Sequence, residues 1–138
     1  MADLTFEKGY SLVELVMVMV IVGIIGITAG AKWQGDLSLF AKADQLVNDM
    51  RLAQALAMGK GIYTIRSVTP NSYRIQDANG AAYYPQDPVL EGVTINPFAI
   101  SFDGRGDPGP LDIDLLLTLE GQTATIRMYG YTGAVRRL

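Results

Sequence analysis

The fold of this chain is decided by one stretch near its start, K-G-Y-S-L-V-E-L-V-M-V-M-V-I-V-G-I-I-G-I, which runs from Lys8 to Ile27. Glu14 is the only charged residue in the segment 10–31. As a helix with a rise of about 1.5 Å per residue, this segment would be about 33 Å long, enough to cross the hydrocarbon core of a bilayer. The stretch therefore predicts a membrane-spanning helix that carries one carboxylate near its start.

A cleaved secretory signal peptide is the competing interpretation of this stretch. Such a signal has a basic start, then about 7–15 apolar residues and a small-residue cleavage site. Here residues 1–9, M-A-D-L-T-F-E-K-G, contain two acids and one lysine, and the apolar run is longer than a signal needs. The residues that follow the run, A-G-A-K-W-Q, match a cleavage site only loosely. The stretch therefore favours a helix that is retained.

The composition excludes most enzyme mechanisms. The chain has 138 residues, no histidine and no cysteine. It therefore lacks the residues for a Ser-His-Asp triad, for a histidine metal site and for thiolate chemistry. Its net charge of −3 argues against a general affinity for nucleic acid. We expect one modest domain with an appended helix that is not an enzyme and that has no cofactor and no metal site.

Beyond the apolar run, the helical pattern continues with one apolar side. Apolar residues recur at steps of three and four, at Leu39, Phe40, Ala43, Leu46, Val47, Met50, Ala53 and Ala57. This spacing is typical of an amphipathic helix. One long helix is expected from about Ser11 to Met58, with its amphipathic part at 36–58. Glycines at positions 23, 26, 30 and 35 predict local weakening, and Gly59 and Gly61 predict the end of the helix.

After Gly61 the pattern changes to the alternation of β-strands. Strands are predicted at 63–68, 72–77, 92–95, 99–102, 111–119, 123–129 and 134–138, with turn residues between them. The dipeptide Asn79-Gly80 predicts a tight turn. The fold class is therefore α+β. A long N-terminal helix, transmembrane in its first half and amphipathic in its second, is expected to pack on a C-terminal antiparallel β-sheet head whose strand-rich region covers 62–138.

The residues Gly9-Tyr10-Ser11-Leu12-Val13-Glu14 resemble the processing site of type IV prepilins and type II secretion pseudopilins. The resemblance implies that prepilin peptidase cleaves between Gly9 and Tyr10 and methylates the new amine of Tyr10. It divides the chain into a leader at 1–9, a transmembrane and assembly segment at 10–31, and a periplasmic head at 32–138. Tyr10 stands where the family usually has Phe, and it keeps an aromatic side chain there.

The head is similar to the GspH/FimT branch of minor pilins and pseudopilins. The stretches that carry this similarity are I-S-F-D-G-R-G-D-P at 100–108 and Y-G-Y-T-G-A-V-R-R at 129–137. The resemblance implies a structural subunit of a type IV pilus or of a type II secretion pseudopilus. Its helix would lie in the inner membrane, its head in the periplasm, and its partners would be other pilin subunits. The short chain favours an accessory pilin of the mannose-sensitive haemagglutinin type.

The resemblance also implies a role for Glu14 in assembly. A lone carboxylate in hydrocarbon costs several kcal/mol unless it is paired or protonated. In this family the glutamate is thought to pair with the N-terminal amine of a neighbouring subunit, which can happen only when the subunits are correctly staggered. The alternative is a glutamate that is tolerated near a helix N-terminus by snorkelling and by the helix dipole.

Three arginines near the C-terminus, Arg127, Arg136 and Arg137, suggest an alternative function. Some minor pilins that aid DNA uptake have an arginine-rich C-terminal end, and G-A-V-R-R at 133–137 matches it in part. Arginine neutralises phosphates in a salt-dependent way, so a DNA-binding minor pilin for competence is the second hypothesis. Three arginines are few for tight binding, and an edge strand kept from aggregating by its charge explains them more simply.

Two motifs around residue 105 have simple structural explanations. Asp103, Asp107, Asp112 and Asp114 lack the ligand order of an EF-hand calcium loop, so they predict no metal site. The tripeptide Arg105-Gly106-Asp107 spells a cell-adhesion motif. A turn rich in glycine and proline accounts for these residues without a receptor.

Overall fold

The computed structural model describes residues 11–138, and at 26–36 it describes the backbone alone. One helix, α1, covers Leu12–Lys60. It begins and ends within two residues of the predicted bounds, and the glycines that predict local weakening do not interrupt it. The chain divides into two compact units between Gln34 and Gly35.

The predicted membrane span at 10–31 lies partly outside the described residues, which do not include Tyr10 or the side chains from position 26 to the end of the span. Within the part that the structure describes, no helix has the length and apolar character needed to cross a membrane. The predicted leader at 1–9 lies wholly outside the described residues.

Seven strands follow the helix, close to where the alternating pattern predicts them. They are β1 (Tyr63–Thr69), β2 (Ser72–Asp77), β3 (Thr94–Ile95), β4 (Ala99–Phe102), β5 (Ile113–Leu119), β6 (Gln122–Met128) and β7 (Val135–Arg137). All of these strands pair in antiparallel fashion. The α+β class, with a long helix followed by antiparallel strands, is therefore confirmed.

The strands form two sheets, where the sequence predicts one. The strand order is β2-β1-β4 in the first sheet and β3-β5-β6-β7 in the second. The change of sheet falls at Asn96 and Pro97, between β3 and β4. Asn96 is held on β5, because its N–H donates to the Leu116 carbonyl at 3.2 Å and its side-chain oxygen accepts the Leu116 N–H at 2.6 Å. Pro97 has no N–H for a ladder, so the pairing with β5 ends there and the next strand pairs with β1.

The hydrophobic core combines the amphipathic part of α1 with side chains from both sheets. Seven residues of the predicted stripe are exposed by 6% or less: Leu39, Ala43, Leu46, Val47, Met50, Ala53 and Ala57. Phe40 is the exception, because it is 42% exposed. The sheets contribute fully buried side chains such as Ile65, Phe102, Leu117 and Ile126. Burying a side chain of this size stabilises the fold by about 1.5–3 kcal/mol, so the second half of α1 is an integral part of the head.

A polar contact also ties α1 to the strand-rich region. The Asp49 carboxylate accepts a hydrogen bond from the Tyr73 hydroxyl at 2.5 Å and another from the Tyr84 hydroxyl at 2.9 Å. Tyr73 is fully buried and Tyr84 is half-buried. Burial, and then the contact with Asp49, raises the pKa of Tyr84 to about 12 and raises the pKa of Tyr73 for the same reasons. Nothing in the helical pattern indicates this contact, because the pattern only places Asp49 outside the apolar stripe.

Candidate functional site

The first turn of α1 places Glu14 in a capped helix start. Ser11 precedes the helix, and its Oγ accepts a hydrogen bond from the Glu14 N–H at 3.2 Å. The Ser11 carbonyl accepts a second one from the Leu15 N–H at 3.1 Å. A serine at this position satisfies N–H groups that have no partner inside the helix. Gly9 and Tyr10, the predicted cleavage and methylation residues, lie outside the described residues.

The spacing of Ser11 and Glu14 is the S-x-x-E pattern of a capping box, a signal for the helix start that the sequence alone contains. A negative side chain in the first turn is also favoured by the helix dipole, by about 0.3–1 kcal/mol when it is exposed. Glu14 is exposed, and no side chain in the described part of the chain is paired with its carboxylate. Glu14 therefore stabilises the start of the helix while its carboxylate can still pair with a group of another molecule.

The large apolar side chains in the first half of α1 are exposed all around the helix. From Leu12 to Ile25, every leucine, valine, methionine and isoleucine is between 50% and 79% exposed. A helix that is apolar on all sides is normally surrounded by lipid or by other helices. Soluble monomers rarely expose so large a contiguous apolar surface. This segment therefore has the properties of an association surface.

Among the C-terminal arginines, Arg127 is neutralised within its own sheet. It lies on β6 opposite Asp114 of β5, and its guanidinium forms two contacts of 2.7 Å with the two carboxylate oxygens. The contact with Arg127 lowers the pKa of Asp114, and the same contact raises the pKa of Arg127. Bidentate pairs of this kind fix the geometry of both side chains.

Arg137 contacts the helix. Its Nη1 donates to the Asp44 carboxylate at 2.9 Å, and its guanidinium carbon lies 4.7 Å from the centre of the Phe40 ring. The ring face attracts the cation, so the exposed Phe40 has a role outside the core. Both contacts hold the last strand against the polar side of α1.

Arg136 is the one member of the three whose guanidinium has no carboxylate partner within residues 11–138. It pairs across the strands with Arg127, and Arg127 pairs with Asp114, so these three residues form a row on the outer face of the sheet. Arg137 follows Arg136 on the strand and therefore points to the opposite face. The three arginines therefore do not form one cluster, because Arg137 lies on the other face from Arg127 and Arg136. The row of Arg136, Arg127 and Asp114 has a net charge of one positive unit, which comes from Arg136.

The aspartates of the loop after β4 shape a turn. Asp103 Oδ1 accepts the N–H of Arg105 at 2.8 Å and that of Asp107 at 2.9 Å, and these bonds lower the pKa of Asp103. The Arg105 guanidinium folds back onto Asp103 Oδ2 at 3.2 Å. Asp107 Oδ1 accepts the Gly109 N–H at 2.7 Å. The arginine of the Arg-Gly-Asp tripeptide therefore contacts its own loop.

The long helix and the antiparallel strand-rich head together form a type IV pilin-like fold. Among solved structures, the crystal structure of the type IV minor pilin FimU from Pseudomonas aeruginosa is similar to this chain, with a TM-score of 0.61. The sequence identity is 14%, and the alignment covers 75% of this chain and 90% of FimU. No protein-family model and no curated protein sequence matches the chain. The similarity to FimU concerns the fold.

Proposed function

We propose that this chain is a minor pilin or pseudopilin, a structural subunit that joins a type IV pilus or a type II secretion pseudopilus through its N-terminal helix. The observation that carries the proposal is the apolar surface of Leu12–Ile25, exposed on all sides, at the start of a chain with a type IV pilin-like fold. The minor pilin FimU, whose fold is similar, is itself a type IV pilus subunit by name.

Before assembly, the segment 10–31 crosses the inner membrane once and residues 32–138 lie in the periplasm. The exposed side chains of Leu12–Ile25 support this proposal, because lipid would remove them from water. On assembly, helices of neighbouring subunits replace lipid around the same side chains. The apolar surface is therefore covered in both states, and moving between them does not require its exposure to water.

Processing by prepilin peptidase prepares the chain for assembly. Cleavage between Gly9 and Tyr10 creates a positive amine at Tyr10, which the peptidase methylates. Glu14 then pairs with this amine on a neighbouring subunit. The pairing is supported by the exposure of Glu14 and by the lack of a described partner for its carboxylate. A charge in apolar surroundings is costly unless it is paired, so a subunit in the wrong register would be disfavoured.

The intact mass of chain extracted from membranes tests this proposal. In cells with active prepilin peptidase, the mass should be that of a chain that begins at Tyr10 and carries one methyl group. In matched cells without the peptidase, the mass should be that of a chain that keeps the leader at 1–9. A chain that begins at Met1 or after Ala31 while the peptidase is active would contradict the proposal.

DNA binding in competence is the alternative function, and it would depend on Arg127, Arg136 and Arg137. Arg136 favours it, because this guanidinium has no carboxylate partner within residues 11–138. The carboxylates that contact the other two arginines oppose it, since they repel phosphate and balance the positive charge. We therefore place this function second.

A further inference from the structure

The chain itself forms hydrogen bonds along three of the four sheet edges in its described part. The outer edge of β2 is closed by the segment that follows it. The Ile75 carbonyl accepts the Tyr83 N–H at 2.8 Å, and the Tyr73 N–H donates to the Pro88 carbonyl at 3.2 Å. These hydrogen bonds satisfy two of the backbone groups that β2 directs away from β1. Such closure protects a sheet from unwanted pairing.

The two outer strands of the second sheet each have one described hydrogen bond along their outer edge. The Ile95 N–H of β3 donates to the Pro70 carbonyl at 2.6 Å. On β7, the Val135 carbonyl accepts a hydrogen bond from Arg51 Nη2 of the helix at 3.3 Å. Within residues 11–138, β4 is the outer strand for which no hydrogen bond is described along its edge.

The open edge of β4 consists of the backbone groups of Ala99 and Ser101. The Ser67 N–H donates to the Phe98 carbonyl at 3.0 Å, and alternate residues along a strand turn their backbone groups to opposite sides. The backbone N–H and C=O of Ile100 therefore point toward β1, and those of Ala99 and Ser101 point away from it. No described backbone group binds these outward N–H and C=O groups, and both residues are exposed.

A cleft of about 460 Å³ adjoins this edge, and Ser101 forms part of its wall. The apolar part of the wall consists of Ile62, Phe102, Tyr131 and the two prolines of the loop at 107–110. Asp103 and Asp107 are the charged residues of the wall. Arg105 balances the charge of Asp103, so Asp107 gives the cleft a net negative charge.

Tyr131 is held in an unusual position at this cleft. Its φ angle is 61°, in the left-handed region that residues with a side chain seldom adopt. Its N–H donates to the Gly109 carbonyl at 2.7 Å, and its side chain is 71% exposed. An exposed aromatic ring and a carboxylate in the wall of the same cleft suit a lysine or arginine side chain, because the ring face and the carboxylate both attract a cation.

We infer that β4 and this cleft bind an extended, basic segment of another protein chain. The segment adds to the sheet as a strand beside β4, through the outward groups of Ala99 and Ser101. Side chains alternate along a strand, so every second side chain of the segment faces the cleft. A lysine or arginine there lies between the Tyr131 ring and the Asp107 carboxylate. This inference does not depend on assembly of the N-terminal helix into a filament.

Two blocked heptapeptides test the inference on the full chain in detergent. One is the alternating basic sequence T-V-K-V-K-V-T, and in the other both lysines are replaced by glutamate. The readout is hydrogen exchange at the backbone amides of Ala99 and Ser101, since these N–H groups gain a partner only if a strand adds at this edge. We expect the basic peptide to slow exchange at both amides and the acidic peptide to leave it unchanged.

Three variants assign the binding to this surface. Ala99→Pro removes an outward N–H that the pairing with β1 does not use, and we expect at least about tenfold weaker binding. Asp107→Asn keeps an oxygen for the Gly109 N–H and removes the charge, so we expect about threefold weaker binding. Glu91→Gln is the matched control, because Glu91 is an exposed acid outside the cleft, and it should bind like the unmodified chain.

Several outcomes would overturn the inference. They are equal binding of the acidic peptide, protection that appears elsewhere but not at Ala99 and Ser101, and no binding of the basic peptide at millimolar concentration. Self-association of the chain through β4 in the absence of peptide would also overturn it, since the occupant would then be a second copy. Thermal melting shows whether Ala99→Pro is folded, and Asp107→Asn decides the question if it is not.

Discussion

Replacing Asp49 by alanine should destabilise the head, because this one carboxylate accepts hydrogen bonds from two tyrosines. Tyr73 is fully buried at 2.5 Å from Asp49, and Tyr84 is half-buried at 2.9 Å. In the Asp49→Ala chain neither hydroxyl has this acceptor. The Tyr73 hydroxyl is also shielded from water, so it cannot exchange the lost partner for solvent.

The expected loss follows from these two contacts. A hydrogen bond to a charged group contributes about 1.5–3 kcal/mol, and this range applies to the buried Tyr73. The half-buried Tyr84 can bind water instead, so its loss adds about 0.5–1 kcal/mol. Alanine improves the helix by about 0.5 kcal/mol relative to aspartate. The free energy of unfolding should therefore fall by about 1.5–3.5 kcal/mol.

Asp44→Ala is the matched control, because it makes the same change on the same helix at an exposed position. It removes the ion pair with Arg137, which should change the free energy of unfolding by no more than about 1 kcal/mol. Denaturant unfolding of the full chain in detergent, followed by near-ultraviolet circular dichroism of the tyrosines, measures both variants. Equal losses for Asp49→Ala and Asp44→Ala would refute the reasoning.

Three further predictions concern assembly, pH and DNA. Glu14→Ala should leave the head folded, because the described core begins at Leu39, but it should reduce incorporation into filaments; normal co-purification with filaments would count against the pairing. The folded-state pKa of Tyr84 is raised from 10.0 to about 12, so its contribution to stability is present below pH 10 and lost as the pH rises through 12. Absorbance titration with pH-dependent unfolding should show this loss, and Tyr84→Phe should reduce it to the part that comes from Tyr73, whose pKa is also raised. The full chain should not bind duplex DNA at physiological salt; micromolar binding that Arg136→Ala abolishes, with a log–log salt slope of about 0.9 per phosphate, would favour the competence function.

The elements of this fold can be predicted from the sequence because their signals are local. The apolar stripe that includes Leu46 and Met50 repeats with helical spacing, and both residues are buried as predicted. The alternation in β1 and β2 and the turn at Asn79-Gly80 likewise depend on residues close together in the chain. Local spacing also contains the capping pattern at Ser11 and Glu14.

The pairings could not be predicted in the same way, because they join residues far apart in the chain. Pro97 marks locally where the pairing with β5 ends, but nothing local indicates that β4 then pairs with β1, or that Asp49 accepts two tyrosine hydroxyls. The contact between Arg137 and Asp44 spans 93 positions of sequence. The separation of Arg136 from Arg137, however, could have been predicted from the sequence. Successive residues of a strand point to opposite faces, so Arg136 and Arg137 could not both belong to one surface of β7.

Recovery of the chain in sheared filaments tests the central claim, that this protein is a filament subunit, most directly. Filaments should be sheared from cells that produce the pilus or the pseudopilus, and the chain in them should be identified by its intact mass. The proposal predicts that the chain is present in this fraction and begins at Tyr10. A chain that stays entirely in the membrane fraction while filaments form, or that enters filaments with its first residue at Met1, would contradict it.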